Sequence, residues 1–264
     1  MRLPFAAVLV AATGVTAVSR PVRAQDPVPP TPPAAAVVAP APIDSLVTFE
    51  RPNGALLRAG RLVYHLTVTR SGVTTPAGDR TVDVSEASAG GAPAWMLAES
   101  RTGTRVETRD SLLVARADLT PIRWSASTAR AQLGVSFTAD SAFGAMQSYQ
   151  GRASFSTGVP KGALLTAAMV ERIVELLPLH IGYRAGAALL MFDTGSARVT
   201  SAELAVDREE ARETVPGVME DCWLVTLRAG VLEERLWVAK ATSRVVRTEQ
   251  ATSSGLLTAV LSGP

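Results

Sequence analysis

The strongest constraint in this sequence is a period of two in its apolar residues, which recurs from residue 60 to residue 261. In the first such segment Leu62, Tyr64, Leu66 and Val68 occupy every second position, and the alternation ends at Ser71 and Gly72. This period is typical of a β-strand with one buried face. We predict strands at residues 62–69, 80–87, 94–100, 104–108, 111–115, 123–128, 133–138, 144–149, 152–157, 187–192, 198–213, 222–228, 231–239, 244–251 and 256–261.

Gly, Pro, Asp and Ser residues separate these segments and mark turns. Many short strands joined by such turns predict a mainly β fold built on a curved antiparallel or barrel-like sheet. Residues 163–177 depart from the pattern, because Leu165, Met169, Ile173 (or Val170) and Leu176 recur at helical spacing before Pro178. We therefore expect an α+β chain with one main helix, which packs against the sheet.

The amino terminus indicates export. Arg2 is followed by a mostly apolar run over residues 3–18 and by a small-residue cleavage pattern that ends at Ala24. Thr and Gly residues interrupt the apolar run, which is shorter than the roughly 20 residues of a membrane-spanning helix. We predict a signal peptide at residues 1–24, a Pro/Ala-rich linker at 25–54 and a single β-rich domain at 55–264. The cleaved protein would be periplasmic or secreted, with no integral membrane span.

Charge argues against nucleic acid as a partner. Cleavage after Ala24 removes three of the 26 basic residues and none of the 24 acidic ones, so the remaining net charge is about −1. Nucleic-acid-binding domains instead carry a basic patch or stripe. The linker, with Pro at most positions of residues 27–33, is typical of an extended spacer, and a docking peptide for a partner is the alternative.

No constellation of residues predicts a cofactor or a metal. His65 and His180 are the two histidines, Cys222 is the single cysteine, and their spacing does not match a zinc site. The sequence lacks the G-x-S-x-G elbow of serine hydrolases and the glycine-rich loops that bind nucleotides. We therefore predict no cofactor and no enzymatic activity.

The competing hypothesis is an aspartic peptidase that uses Asp193 as its catalytic residue. Asp193 follows four apolar residues and precedes Thr-Gly-Ser, as in such enzymes. Such enzymes need two carboxylates that share one proton. No second Asp-Thr-Gly or Asp-Ser-Gly occurs, so a peptidase would have to be a homodimer. The alternative, which we favour, is that Asp193 ends a strand and Thr-Gly-Ser forms the following turn.

A loose order of short motifs resembles a family of exported bacterial domains of unknown function, similar to the lipoprotein-sorting and lipid-carrier half-barrels of the cell envelope. The motifs are Asp118-Leu-Thr-Pro121, Leu-Pro-Leu179 with Gly182, Val215-Pro-Gly before Cys222-Trp223, and Leu236-Trp-Val238 before Arg244-Val-Val-Arg247. The resemblance covers roughly residues 55–262. It implies a strongly curved antiparallel sheet wrapped around a helix, with an apolar concavity that shelters acyl chains.

These expectations favour a non-enzymatic envelope protein that binds a lipid or lipoprotein acyl chain. The predicted lining of its concavity is Leu62, Leu66, Trp95, Trp124, Met169, Ile173, Trp223 and Trp237. The alternative is a structural adaptor that contacts an envelope protein through the outer face of its sheet or through the Pro/Ala-rich linker. A carrier should leave its concavity open, whereas an adaptor should pack that space solid.

Overall fold

The computed structural model describes residues 51–103, 107–160, 164–193, 196–215 and 217–262. The predicted signal peptide and residues 25–50 of the linker lie outside these ranges. The strands are β1 Gly60–Arg70, β2 Val73–Ala89, β3 Ala92–Thr102, β4 Thr108–Ala115, β5 Pro121–Thr128, β6 Ala131–Phe137, β7 Ser141–Ser148, β8 Gly151–Gly158, β9 Leu164–Thr166, β10 Arg184–Asp193, β11 Ser196–Val215, β12 Val218–Ala229, β13 Leu232–Ala239, β14 Val245–Thr252 and β15 Gly255–Leu261.

All 15 strands belong to one open, curved sheet, so the prediction of a mainly β chain is confirmed. Strands β1–β8 form one antiparallel meander, and strands β10–β15 form a second. The two meanders join where β1 pairs with β15, with Tyr64 opposite Leu261 and Leu66 opposite Ala259. β8 and β9 are the last strands at the two ends of the order, and β8 lies against β11, so the sheet curls back toward itself.

The hairpins follow the predicted turns. Ser71 and Gly72, which join β1 to β2, both have a positive φ, of 51° and 79°. Gly255 opens β15 at φ 128°, and a Cβ at this position would lie 2.4 Å from the Thr69 carbonyl oxygen. Only glycine tolerates both that backbone conformation and that close approach. The β1–β15 pairing therefore depends on Gly255.

The predicted helix at residues 163–177 is wrong in length. Leu164–Thr166 forms β9, which pairs in parallel with β10, and Leu165 lies opposite Leu189. A 3-10 turn at Ala167–Met169 follows, and the α-helix α1 covers only Val170–Val174. The apolar spacing was compatible with either structure, and pairing with the neighbouring strand decides the backbone of the first residues. No helix among the described residues is long and apolar enough to cross a membrane.

Buried side chains form two clusters. The larger one, here called the main core, joins side chains from β2–β7 with the α1 segment and β9–β14. The smaller one, the second core, joins side chains from β1, β2 and β12–β15 around Tyr64 and Trp237. Residues 51–54, which the sequence assigns to the linker, contact this domain, because Gly54 donates a backbone hydrogen bond to Ala117 and accepts one from the Trp95 indole.

Candidate functional site

A cavity of about 130 Å³ lies inside the curved sheet. One wall consists of strands β2–β6, and the opposite wall is formed by β10, β12, β13 and β14 together with the α1 segment. Because the two walls come from different meanders, the cavity exists only in the completed sheet. Its lining includes Arg80, Val82, Glu99, Arg101, Thr108, Asp110, Trp124, Ala126, Leu133, Val170, Glu171, Arg172, Leu189, Phe192, Leu227, Leu232, Glu234 and Gln250.

Strand register organises the first wall into rows. Side chains that lie opposite one another on neighbouring antiparallel strands point to the same face. An apolar row contains Val84, Leu97, Leu112 and Trp124. A mixed row contains Val82, Glu99, Asp110 and Ala126, and a polar row contains Arg80, Arg101, Thr108 and Thr128. The wall therefore changes from apolar to charged along the direction of its strands.

Asp110 is the least compensated charge in this wall. It lies directly opposite Glu99, and its Oδ1 atom is buried without a hydrogen-bond partner among the described residues. Burial, and then the negative charge of Glu99, raise the pKa of Asp110 to about 7, although Arg101 acts in the opposite direction. Near neutral pH the charged and neutral forms of this carboxyl group are therefore both populated.

Trp124 is the second unpartnered group of the wall. Its side chain is 8% exposed and lines the cavity, and its ring meets the edge of Phe192 with centroids 5.1 Å apart. Its Nε1 is buried without an acceptor among the described residues. Buried indole N–H groups usually find an acceptor. Among the described residues, the acceptor Asp110 Oδ1 and the donor Trp124 Nε1 thus have no partner, and they are here called the unpartnered pair. Arg80 Nε in the same wall also has none, but its guanidinium group is held by Glu171 through Nη2.

An ion-pair network occupies the side of the cavity next to α1. Arg80 donates to Glu171 at 2.6 Å, and Arg172 donates to Glu175 at 2.9 Å and to the Tyr64 hydroxyl at 3.2 Å. Burial alone would raise the pKa of Glu171, but Arg80 and Arg172 hold it below its ordinary value. Each of these carboxylates therefore has a cationic partner.

The network is also tied to the backbone of the second meander. The Tyr64 hydroxyl donates to the Val245 carbonyl at 2.9 Å, and the Val245 amide donates to Glu175 at 2.9 Å. Arg80 lies over the Tyr64 ring, 4.4 Å from its centroid. These contacts fix α1 to β1, β2 and β14.

Glu234 faces the cavity from β13 in the opposite wall, in register with Leu227 and Gln250. Burial, and then the charge of Glu171, raise the pKa of Glu234 to about 7. Two carboxyl groups with raised pKa values, Asp110 and Glu234, therefore line one cavity from its two walls.

The structure separates the residues predicted to line the concavity. Trp124 lines the cavity itself. Of the other predicted residues, Trp95, Met169 and Ile173 are buried in the main core, and Trp223 packs against that core half-buried. Leu62, Leu66 and Trp237 belong to the second core. Trp237 lies on the face of β13 opposite to Leu236 and Val238, and its indole donates to Glu210.

Asp193 is the last residue of β10, and its backbone pairs with Ser196, the first residue of β11. The predicted strand end at Asp193 is confirmed. Thr194 and Gly195 lie outside the described residues. The peptidase alternative stays a prediction.

Sequence reasoning missed the charged residues of the cavity. The signal that could have found them is the same period of two: Arg80 is in phase with Val82 and Val84, and Asp110 with Leu112 and Val114. Glu234 likewise continues the register of Leu236 and lines the cavity, whereas its neighbour Glu233 is exposed.

Within the described ranges, no three His, Cys, Asp or Glu residues come together in a group that could hold a metal ion. Cys222 is buried on β12, and burial raises the pKa of its thiol to about 11, so the thiolate is scarce at neutral pH.

Comparison with known proteins gives a likeness of fold. No protein-family model and no curated protein sequence matches this chain. Among solved structures, the chain is similar to a β-barrel-like protein of a domain of unknown function, DUF1849, from Brucella abortus. The TM-score is 0.51 at 9% sequence identity, over 82% of this chain and 97% of the other. The likeness supports the predicted resemblance to a domain of unknown function with a β-barrel-like fold.

Proposed function

We propose that this protein is a non-enzymatic binding module that holds the apolar part of a small amphiphile in its cavity. The observation that carries the proposal is the unfilled interior, because a cavity of about 130 Å³ remains beside the apolar row of the wall. An adaptor that uses only its outer face gains stability when such a space is filled, since a void forfeits packing contacts. The open cavity therefore favours the carrier over the adaptor.

The size of the cavity limits the ligand. It is close to the roughly 150 Å³ of an apolar cavity that holds benzene, and below the roughly 300 Å³ at which drug-sized pockets begin. A group of about six carbon atoms would fill it. A lipid or a lipoprotein acyl chain would therefore enter by one end, with the rest of the chain outside. In this proposal the curved sheet encloses the α1 segment, which contributes Val170 and Glu171 to the lining.

The proposed setting is the cell envelope. It is supported by the predicted signal peptide at residues 1–24 and by the resemblance to envelope half-barrels. An envelope protein that delivers or receives the amphiphile would be the partner.

A series of linear alcohols tests the cavity directly. We expect the affinity measured by NMR titration to rise about fourfold for each added CH₂ group, because burying one contributes about 0.8 kcal/mol. The rise should stop near hexanol, once the cavity is filled. Shifted backbone amides should lie in β3–β5 and α1.

Ala126→Leu is the matched variant, because Ala126 is 5% exposed and lines the cavity. We expect it to weaken hexanol binding at least tenfold, whereas Ala251→Leu at an exposed position of β14 should leave binding unchanged. Thermal unfolding is the check that both variants are folded. Absence of saturable binding for every alcohol would refute the proposed function.

A further inference from the structure

The unpartnered pair, Asp110 and Trp124, indicates which polar groups a ligand of the cavity should carry. Asp110 Oδ1 and Trp124 Nε1 are buried, face the cavity and have no hydrogen-bond partner among the described residues. The Nε atoms of Arg80 and Arg172 also lack one, but these two guanidinium groups already contact carboxylates through their other nitrogens. Trp124 is 8% exposed, so bulk water does not satisfy its N–H group. Buried polar groups are nearly always hydrogen-bonded, and a ligand is one source of the missing partners.

The charges around Asp110 favour a positive ligand. Those that line the cavity are Arg80 on β2, Glu99 and Arg101 on β3, Glu171 and Arg172 on α1, and Glu234 on β13. Each arginine already contacts a carboxylate: Arg101 contacts Glu99 at 2.9 Å, and the other two belong to the ion-pair network. Asp110 and Glu234 are left over, so the cavity carries surplus negative charge whenever both are ionised.

We infer that the polar end of the ligand is a protonated amine, which binds the Asp110 carboxylate while the hydrocarbon part lies along Trp124, Leu133 and Phe192. This inference rests on the proposed function and names its ligand class. A charge-assisted N–H···O bond supplies the partner that Asp110 Oδ1 does not find among the described residues. The positive charge also offsets the repulsion between Asp110 and Glu99, which lie directly opposite each other.

Trp124 refines the ligand class. Its indole N–H is a donor, so it calls for an acceptor on the ligand close to the amine. A hydroxyl or ether oxygen beside the amine carbon satisfies both members of the unpartnered pair. The ligand class is accordingly a short-chain amine, and the preferred member carries a neighbouring oxygen.

Three probes with one chain length separate the amine from the chain. Hexylamine, hexanol and hexanoate are titrated into the full chain at pH 8 and followed by NMR. We expect hexylamine to bind at least about tenfold more tightly than hexanol, because hydrogen bonds to charged groups are stronger than neutral ones. Hexanoate should bind more weakly than hexanol.

The pH profile is a signature of a titrating carboxyl group that a purely apolar site lacks. The same titration of Asp110→Asn separates Asp110 from Glu234, whose pKa is also raised to about 7. Alkyl amines resemble the lysine side chain, which titrates near pH 10, so hexylamine stays protonated between pH 5.5 and pH 8. As the pH is lowered from 8 to 5.5 and the carboxyl group takes up a proton, hexylamine affinity should fall about tenfold. Hexanol affinity should stay constant over the same range.

Asp110→Asn should abolish the preference for hexylamine over hexanol, whereas Asp221→Asn at an exposed position of β12 should retain it. Failure of all three probes to bind would overturn the proposed function together with this inference. Hexanol binding that equals or exceeds hexylamine binding in the wild-type chain would overturn the inference alone. A wild-type preference for hexylamine over hexanol that does not change with pH would also overturn the inference alone. This outcome can be read from the wild-type chain even if Asp110→Asn fails to fold.

Discussion

The ion-pair network and the unpartnered pair are two buried polar regions of the same interior, and they differ in whether their carboxyl groups have arginine partners. Two nitrogens of the network, Arg80 Nε and Arg172 Nε, also have no hydrogen-bond partner among the described residues. In the network, Glu171 and Glu175 each contact an arginine, and the Tyr64 hydroxyl has two partners. In the unpartnered pair, Asp110 Oδ1 and Trp124 Nε1 have no hydrogen-bond partner among the described residues. A carboxylate paired with arginine holds elements together, whereas an unpaired one lowers stability in exchange for a group available to a ligand.

The largest expected effect comes from breaking the network with Glu171→Gln. This change leaves Arg80 and Arg172 buried without their shared counter-charge, so we expect the free energy of unfolding to fall by about 3 kcal/mol or more. Urea denaturation followed by circular dichroism measures it. Glu209→Gln is the control, because Glu209 pairs with Lys240 at the surface and should cost less than about 1 kcal/mol. Equal losses in the two variants would contradict a structural role for the network.

The same chemical change at Asp110 should act in the opposite direction. A carboxyl group whose pKa is raised by folding stabilises the folded state below its unfolded pKa near 4, and that contribution is lost as the pH rises through about 7. Between pH 5 and pH 8 the wild-type chain should therefore lose roughly 2 to 3 kcal/mol more unfolding free energy than Asp110→Asn. Glu234 adds a similar dependence to both proteins. Parallel pH profiles would show that Asp110 is not held in a perturbed state.

The smallest expected difference compares two buried indoles. The Trp95 N–H donates to the Gly54 carbonyl at 2.9 Å, whereas the Trp124 N–H has no described acceptor. Trp95→Phe and Trp124→Phe remove similar volumes, so their difference isolates the hydrogen bond. We expect Trp95→Phe to be the more destabilising by about 1 kcal/mol in urea denaturation. The reverse order would mean that Trp124 has a partner within the folded chain.

Much of the fold could be predicted because its hairpins are local. Alternation at Leu62, Tyr64 and Leu66 fixes which face of β1 is buried, and the turn at Ser71 and Gly72 fixes where β2 begins. The helix was overestimated, since the apolar spacing of residues 163–177 does not reveal that Leu165 will pair with Leu189 on β10. That pairing is a tertiary contact, which overrides local periodicity.

The candidate site was less predictable. Of the eight residues predicted to line the concavity, seven are buried and Trp223 is half-buried, and Trp124 is the one among them that lines the cavity described here. The remaining lining depends on which strands face each other after the sheet curls, and alternation within one strand does not contain that information. The acidic residues Asp110 and Glu234 were overlooked because charged residues are usually exposed, although both continue an apolar register.

The seam between β1 and β15 has a consequence for how the chain acquires its structure. Val68 pairs with Leu257 and Tyr64 with Leu261. The first strand in the chain therefore cannot complete its pairing until the last strand has been synthesised. Each meander assembles from adjacent hairpins, which form early, but closure of the seam brings together segments almost 200 residues apart. Until then β1 presents an unpaired edge that could recruit a strand from another chain. A circular permutant that keeps residues 51–59, links them to residue 262 and opens the chain between β8 and β9 would make the β1–β15 pairing a local contact.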